Sequence, residues 1–187
     1  MKNYFLLLIV ATGFLACKKG DVGPQGPEGP AGPQGPQGAP NVKYSAWFTP
    51  NAYTSTTLFG IKHFTYDKNV PEITQPILDS GLVIVFGKLL GYNPAVWPTS
   101  QVSQLPIALT YVQSGSTMTD TWSALTAPQK LTIRFVNDKN EYTAISTAHQ
   151  FRYIIVPGGS KISGRSAAGN YQQMSYSEIC GLFQIPE

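Results

Sequence analysis

Histidine and cysteine are nearly absent from this 187-residue chain, with two of each, and only ten aspartates and glutamates accompany thirteen lysines and arginines. Each scarcity excludes a class of function. The two histidines, His63 and His149, fall on separate strand-like segments with no carboxylate or cysteine at ligand spacing, so no metal or other cofactor is expected. Carboxylates are too sparse to suggest a glycosidase pair facing one cleft. No Gly-x-Ser-x-Gly elbow, His-Glu-x-x-His helix or phosphate-cradling glycine loop occurs. No basic run extends beyond Lys18-Lys19, so nucleic acid is not an expected partner. The longest apolar stretch, residues 4–10 continued by Phe14 and Leu15, falls short of the ~20 residues that a spanning helix requires. One catalytic alternative survives: a hydrolase acting on polysaccharide or peptide, with Ser160, Ser163 or Ser166 near His149. The same serines, interleaved with glycines, equally compose a plain loop.

What is present is periodicity. Gly20, Gly23, Gly26, Gly29, Gly32, Gly35 and Gly38 stand on a strict period of three, and five of the triplets begin Gly-Pro. Three polyproline-II chains wind together only when every third residue lacks a side chain at the crowded axis, which makes this collagen-like Gly-X-Y sequence. Residues 20–40 hold seven glycines and six prolines and cannot build a core. They form either a collagen-type homotrimer or a monomeric polyproline-II stalk, and at ~3.1 Å per residue either spans roughly 65 Å. Seven triplets offer few interchain contacts to offset ordering three chains, which favours the monomer unless the flanking segments help.

Ahead of the stalk, Lys2, the apolar run and small Ala16 read as a signal peptide over residues 1–16. The ending Phe14-Leu15-Ala16-Cys17 resembles the lipobox of bacterial lipoproteins, although Phe14 stands where leucine is commonest. A plain secretory signal is the alternative. The resemblance implies that Cys17 becomes the acylated, palmitate-bearing first residue and that residues 17–19 start a membrane-anchored chain. Several acyl chains together hold a protein on a membrane stably, whereas one is marginal. The Lys18-Lys19 pair lacks the aspartate that marks inner-membrane retention in the best-known sorting system, so the resemblance implies the outer membrane or cell surface. Lipid on Cys17 leaves Cys180 as the sole thiol and forbids an intrachain disulfide. Cys180, between Ile179 and Leu182 on a helix-like stretch, reads as a small core residue. Loss of Lys2 with the signal leaves 12 basic against 10 acidic residues.

Residues 41–187 have the composition of a single globular domain. Apolar and β-branched runs at 42–48, 56–66, 82–89, 102–112, 118–125, 130–136, 141–146 and 151–156, separated by turn residues, predict an all-β sandwich. Leu82-Val83-Ile84-Val85-Phe86 is apolar on both parities and predicts a strand covered on both faces. The segment 137–140 predicts a hairpin joining strand 130–136 to strand 141–145. Ser175 and Glu178 form a capping-box pair, with Met174 and Ile179 spaced for a hydrophobic staple. They predict one short helix from Tyr176 to Phe183 that closes an end or edge of the sandwich, and residues 71–79 could hold a further helical turn.

The signal, the Gly-Pro-Gln triplets and landmarks such as Val42-Lys43-Tyr44-Ser45-Ala46-Trp47-Phe48 and Phe151-Arg152-Tyr153-Ile154-Ile155-Val156-Pro157-Gly158-Gly159 resemble small collagen-like lipoproteins of Bacteroidetes bacteria. The resemblance implies surface placement and this architecture, and no activity. Two loops invite a partner. Residues 91–98 set Tyr92 and Trp97 in a proline-stiffened turn, a way of stacking on a glycan or gripping a protein, unless Trp97 folds back onto the core. Residues 158–170 combine glycines with Lys161 and Arg165, suited to an anionic partner or to a solvated linker. The resulting expectation is a lipid-anchored surface protein displaying a non-catalytic domain, structural or ligand-binding.

Overall fold

The computed structural model describes residues 41–158 and 171–187. The signal, Cys17, the Gly-X-Y stalk and most of the 158–170 loop lie outside the described residues. Among the described residues, nine strands form two antiparallel sheets. The first sheet has the order β1-β9-β4-β5, with β1 Lys43–Tyr44, β4 Leu82–Lys88, β5 Ser103–Gln104 and β9 Gln150–Val156. The second has the order β2-β3-β8-β7-β6, with β2 Thr54–Leu58, β3 Ile61–Asn69, β6 Ile107–Gln113, β7 Ser116–Ala127 and β8 Lys130–Asn137. Helix α1 is Gln75–Ser80 and helix α2 is Tyr176–Phe183.

Alternation along the strands places the core. Phe64, Leu131, Ile133, Phe135 and Trp122 point from the five-stranded sheet towards Val85, Phe151 and Ile155 of the other, forming one buried cluster. The opposite parity of the four-stranded sheet is covered as well. Ile84, Phe86, Ile154 and Val156 pack beneath Tyr176, Ile179, Cys180 and Phe183 of α2. This double cover is why residues 82–86 are apolar on both parities. It also corrects the expected place of α2, which lies on the outer face of the four-stranded sheet and not at an end or edge. The face that needed covering is the second apolar parity of β4 and β9.

Local chemistry holds α2 there. The Ser175 hydroxyl accepts from the Glu178 backbone N–H at 3.3 Å, and the Glu178 carboxylate accepts from the Ser175 backbone N–H at 2.7 Å. Both donors orphaned at the helix start are thereby satisfied. Arg152, buried to 3% exposure on β9, donates Nε to the Ser45 carbonyl at 2.9 Å and Nη1 to the Pro186 carbonyl at 2.6 Å and to the Tyr176 hydroxyl. One guanidinium thus ties the first strand, α2 and the C-terminal residues to the sheet.

Two turns split runs that read as continuous in sequence. The run 56–66 breaks at Phe59-Gly60, with φ 50° and 82°, and becomes the β2–β3 hairpin. Ser114-Gly115, with φ 51° and 80°, turns β6 into β7. Both are two-residue loops with positive φ at each centre, the geometry that matches strand twist. The run 102–112 is divided between β5 of one sheet and β6 of the other at the cis bond Leu105–Pro106.

The predicted hairpin from strand 130–136 to strand 141–145 does not form. After β8 the chain crosses to the other sheet through residues 138–149, which carry no strand. Asn137 Oδ1 accepts from the backbone of Lys139 at 2.9 Å and of Glu141 at 3.2 Å, curling the chain off the sheet. β8 is paired on both sides, by β3 and β7, so no edge is open for a hairpin partner, and the Tyr142 hydroxyl turns inward to Asp120.

Candidate functional site

The 89–102 connection carries the two aromatics singled out by sequence, and the structure separates them. Asn93 Oδ1 accepts from the Ala95 N–H at 2.9 Å, and the Asn93 carbonyl accepts from the Val96 and Trp97 N–H groups at 2.8 and 2.9 Å. This turn swings Trp97 inward to 7% exposure within the inter-sheet core, where its indole Nε1 has no hydrogen-bond partner. Tyr92 is half-buried and faces a different feature. The two rings therefore present no shared exposed platform, because the apolar mass of Trp97 completes the core.

Tyr92 belongs to a polar knot centred on Asp120. Asp120 sits on the inward parity of β7 between Met118 and Trp122 and is wholly buried. Its Oδ1 accepts from Asn137 Nδ2 at 2.7 Å. Its Oδ2 lies 2.9 Å from the Tyr92 hydroxyl and 3.0 Å from those of Tyr111 and Tyr142, which are 2.7 Å from each other. Tyr111 and Tyr142 have one proton apiece for three short contacts, so at any moment one of the three contacts is without a proton. Trp122 Nε1 donates to the Tyr92 oxygen at 3.1 Å. Four side chains from two strands and two loops thus converge on one carboxylate, with no cation paired to it among the described residues. Burial, with the negative charge of Asp120 adding to it, pushes the Tyr92 and Tyr111 phenols well above their ordinary range and raises that of Tyr142, so they remain donors.

His149, one residue before β9, closes the other side. Its Nδ1 accepts from the Leu90 N–H at 3.0 Å, which fixes the neutral tautomer with the proton on Nε2. The ring stands edge-on to Trp122 at 4.5 Å. Burial pushes its pKa down to about 4, against the opposing pull of Asp120. Between Tyr92, Trp122, Tyr142, Ile145, Ser146 and His149 lies a recess of about 170 Å³. It sits at the Gln150 end of β9, whereas the chain enters the domain with Lys43 paired to Ile155, near the far end of that strand.

A second concavity runs along the side of the domain. Two recesses of about 510 and 550 Å³ share Gln101, Val102, Ser175 and Tyr176, so they adjoin between the 99–104 segment and the start of α2. Trp97 and Gln104 stand in its wall, and the Gln104 side-chain carbonyl is, like the Trp97 indole, buried without a partner.

Of the residues proposed from sequence, Tyr92 thus joins the knot, Trp97 lines the groove, and Cys17 and the serines of the 158–170 loop lie outside the described residues. Asp120, Tyr111, Asn137 and Tyr142 were not anticipated. The available signal was a carboxylate on the core parity of an alternating strand, Met118-Thr-Asp120-Thr-Trp122. No protein-family model matches the chain, and neither the curated proteins nor the solved structures yield a match.

Proposed function

We propose that this chain is a surface lipoprotein, anchored to the outer membrane through acyl groups on Cys17, that displays a non-catalytic β-sandwich on a Gly-Pro-rich stalk to bind a ligand or build surface structure. The observation that supports the non-catalytic part is the commitment of the buried acid. Asp120 is fully enclosed, and its oxygens are taken by Asn137 and three phenols. A general acid or base must reach a substrate proton, and this carboxylate faces only protein. His149 has its Nδ1 engaged by Leu90 and is held neutral by burial. Both groups act as struts that position loops 89–102 and 138–149. These loops lie at the opposite end of β9 from Lys43, which pairs with Ile155.

Incubating the full-length protein with polysaccharide and peptide polymers should release no new reducing ends or amines. Turnover that disappears in His149→Gln would overturn the non-catalytic reading.

A further inference from the structure

We propose that the groove between residues 99–104 and the start of α2 binds a neutral, extended oligosaccharide. Length comes first. Two recesses of about 510 and 550 Å³ adjoin at Gln101, Val102, Ser175 and Tyr176, and side-by-side subsites suit a chain of linked units better than one compact molecule.

The lining matches the ligand class. Sugars present hydroxyls around their edges and C–H groups on their faces, and they are held by amides and hydroxyls beside apolar surface. Here the lining combines the side-chain amides of Gln101, Gln104 and Gln173 and the hydroxyls of Ser103 and Ser175 with apolar Val102, Met174 and Pro106. Gln101 donates its Nε2 to Val102 O at 3.3 Å and to Ser103 Oγ at 3.1 Å, which leaves its carbonyl oxygen as an acceptor on the rim.

Charge argues for neutrality. Glu178 spends its carboxylate on the Ser175 N–H and hydroxyl at 2.7 and 2.8 Å. Lys88, over the Trp47 ring at 4.0 Å, keeps its positive charge in the lining and is balanced there by one carboxylate. Glu187 remains at one end and opposes an acidic polymer.

The independent observation is an unmet pair in one wall. Trp97, 7% exposed, has an indole donor without a partner, and Gln104 has a buried acceptor without one. Buried polar groups in folded proteins are nearly always paired, so each exception calls for an explanation, and a ligand reaching this wall would supply one here. Trp47 Nε1 and Tyr53 Oη are likewise unpartnered away from the groove lining. A peptide adding to a sheet edge would instead need a row of free backbone groups. Along this groove the edge strands offer short stretches, Ser103 and Gln104 of β5 and Ile107, Ala108 and Leu109 of β6, and the Leu105 N–H between them already bonds the Val85 carbonyl at 2.8 Å.

This inference rests on the ligand-binding form of the proposed function, and its test is separate from the turnover assay. Full-length protein in detergent is titrated with cellohexaose, xylohexaose, mannohexaose and maltohexaose, following heat and the Trp97 indole N–H resonance. At least one hexasaccharide should bind and shift that resonance, its trimer should bind at least tenfold more weakly, and Gln101→Ala and Gln104→Leu should each weaken binding tenfold or more. Gln101 is exposed, so its variant keeps the wild-type unfolding midpoint and isolates recognition from stability. Binding of none of the four sugars, or binding of a polyanionic sugar or an extended peptide in their place, overturns the proposal. Hexasaccharide binding unchanged by both substitutions overturns the groove while leaving a ligand-binding surface protein standing.

Discussion

Asp120→Ala should lower the unfolding midpoint by about 10 °C or more, the largest loss expected from any single polar side chain in this domain. Removing the carboxylate leaves Asn137 Nδ2 and the inward-facing hydroxyls of Tyr92, Tyr111 and Tyr142 without their common acceptor. Deleting one partner of a buried charge-assisted network costs roughly 3–5 kcal/mol. For a domain of this size each kcal/mol moves the midpoint by roughly 2–4 °C. Tyr111→Phe removes one donor of several and should cost only about 1 kcal/mol, since the freed acceptor capacity can be taken up by Tyr142. Calorimetric scans of both variants check the ranking. Equal losses would mean that the carboxylate is not the hub.

His149 gives the second large effect, in the pH dependence of stability. Its pKa falls from 6.5 in the unfolded chain to about 4 in the folded one because burial disfavours the imidazolium. Between those values the unfolded state binds the proton and the folded state does not. Its contribution is therefore fully present above pH 6.5 and is lost progressively as the pH falls towards 4. A shift of that size corresponds to about 3 kcal/mol. His149→Gln, whose side-chain carbonyl can still accept from the Leu90 N–H, should be less stable at neutral pH but lose no comparable increment across this window. Denaturant titrations at pH 7 and pH 4.5 measure the difference, and parallel behaviour of the two proteins would contradict the assignment.

Much of the fold was legible because apolar parity carries it. The doubly apolar run at Leu82 to Phe86 announced a strand with cover on both faces, and Ser175 with Glu178 located α2 to the residue. What covers the second face was not legible, since parity says that a face is buried and not by what. The strand expected at residues 141–146 failed for a related reason. Tyr142 and Ile145 have strand-like composition, yet their partners, Asp120 and the core beneath the recess, are set by the crossing between sheets. The candidate site was harder still. Trp97 and Tyr92 adjoin in sequence, but the Asn93 turn sends one into the core and the other to Asp120, and no local pattern encodes that division. The groove joins residues about 75 positions apart and exists only once α2 has docked.

Anchored display is tested most directly by the fate of Cys17. Cells expressing the full-length chain are labelled with a palmitate analogue and fractionated, beside the Cys17→Ser variant. The expected result is a labelled wild-type protein in the outer-membrane fraction and an unlabelled variant released from it. An unlabelled wild-type chain, or a variant that partitions with the membrane as the wild type does, would contradict the lipid anchor on which the proposed function depends.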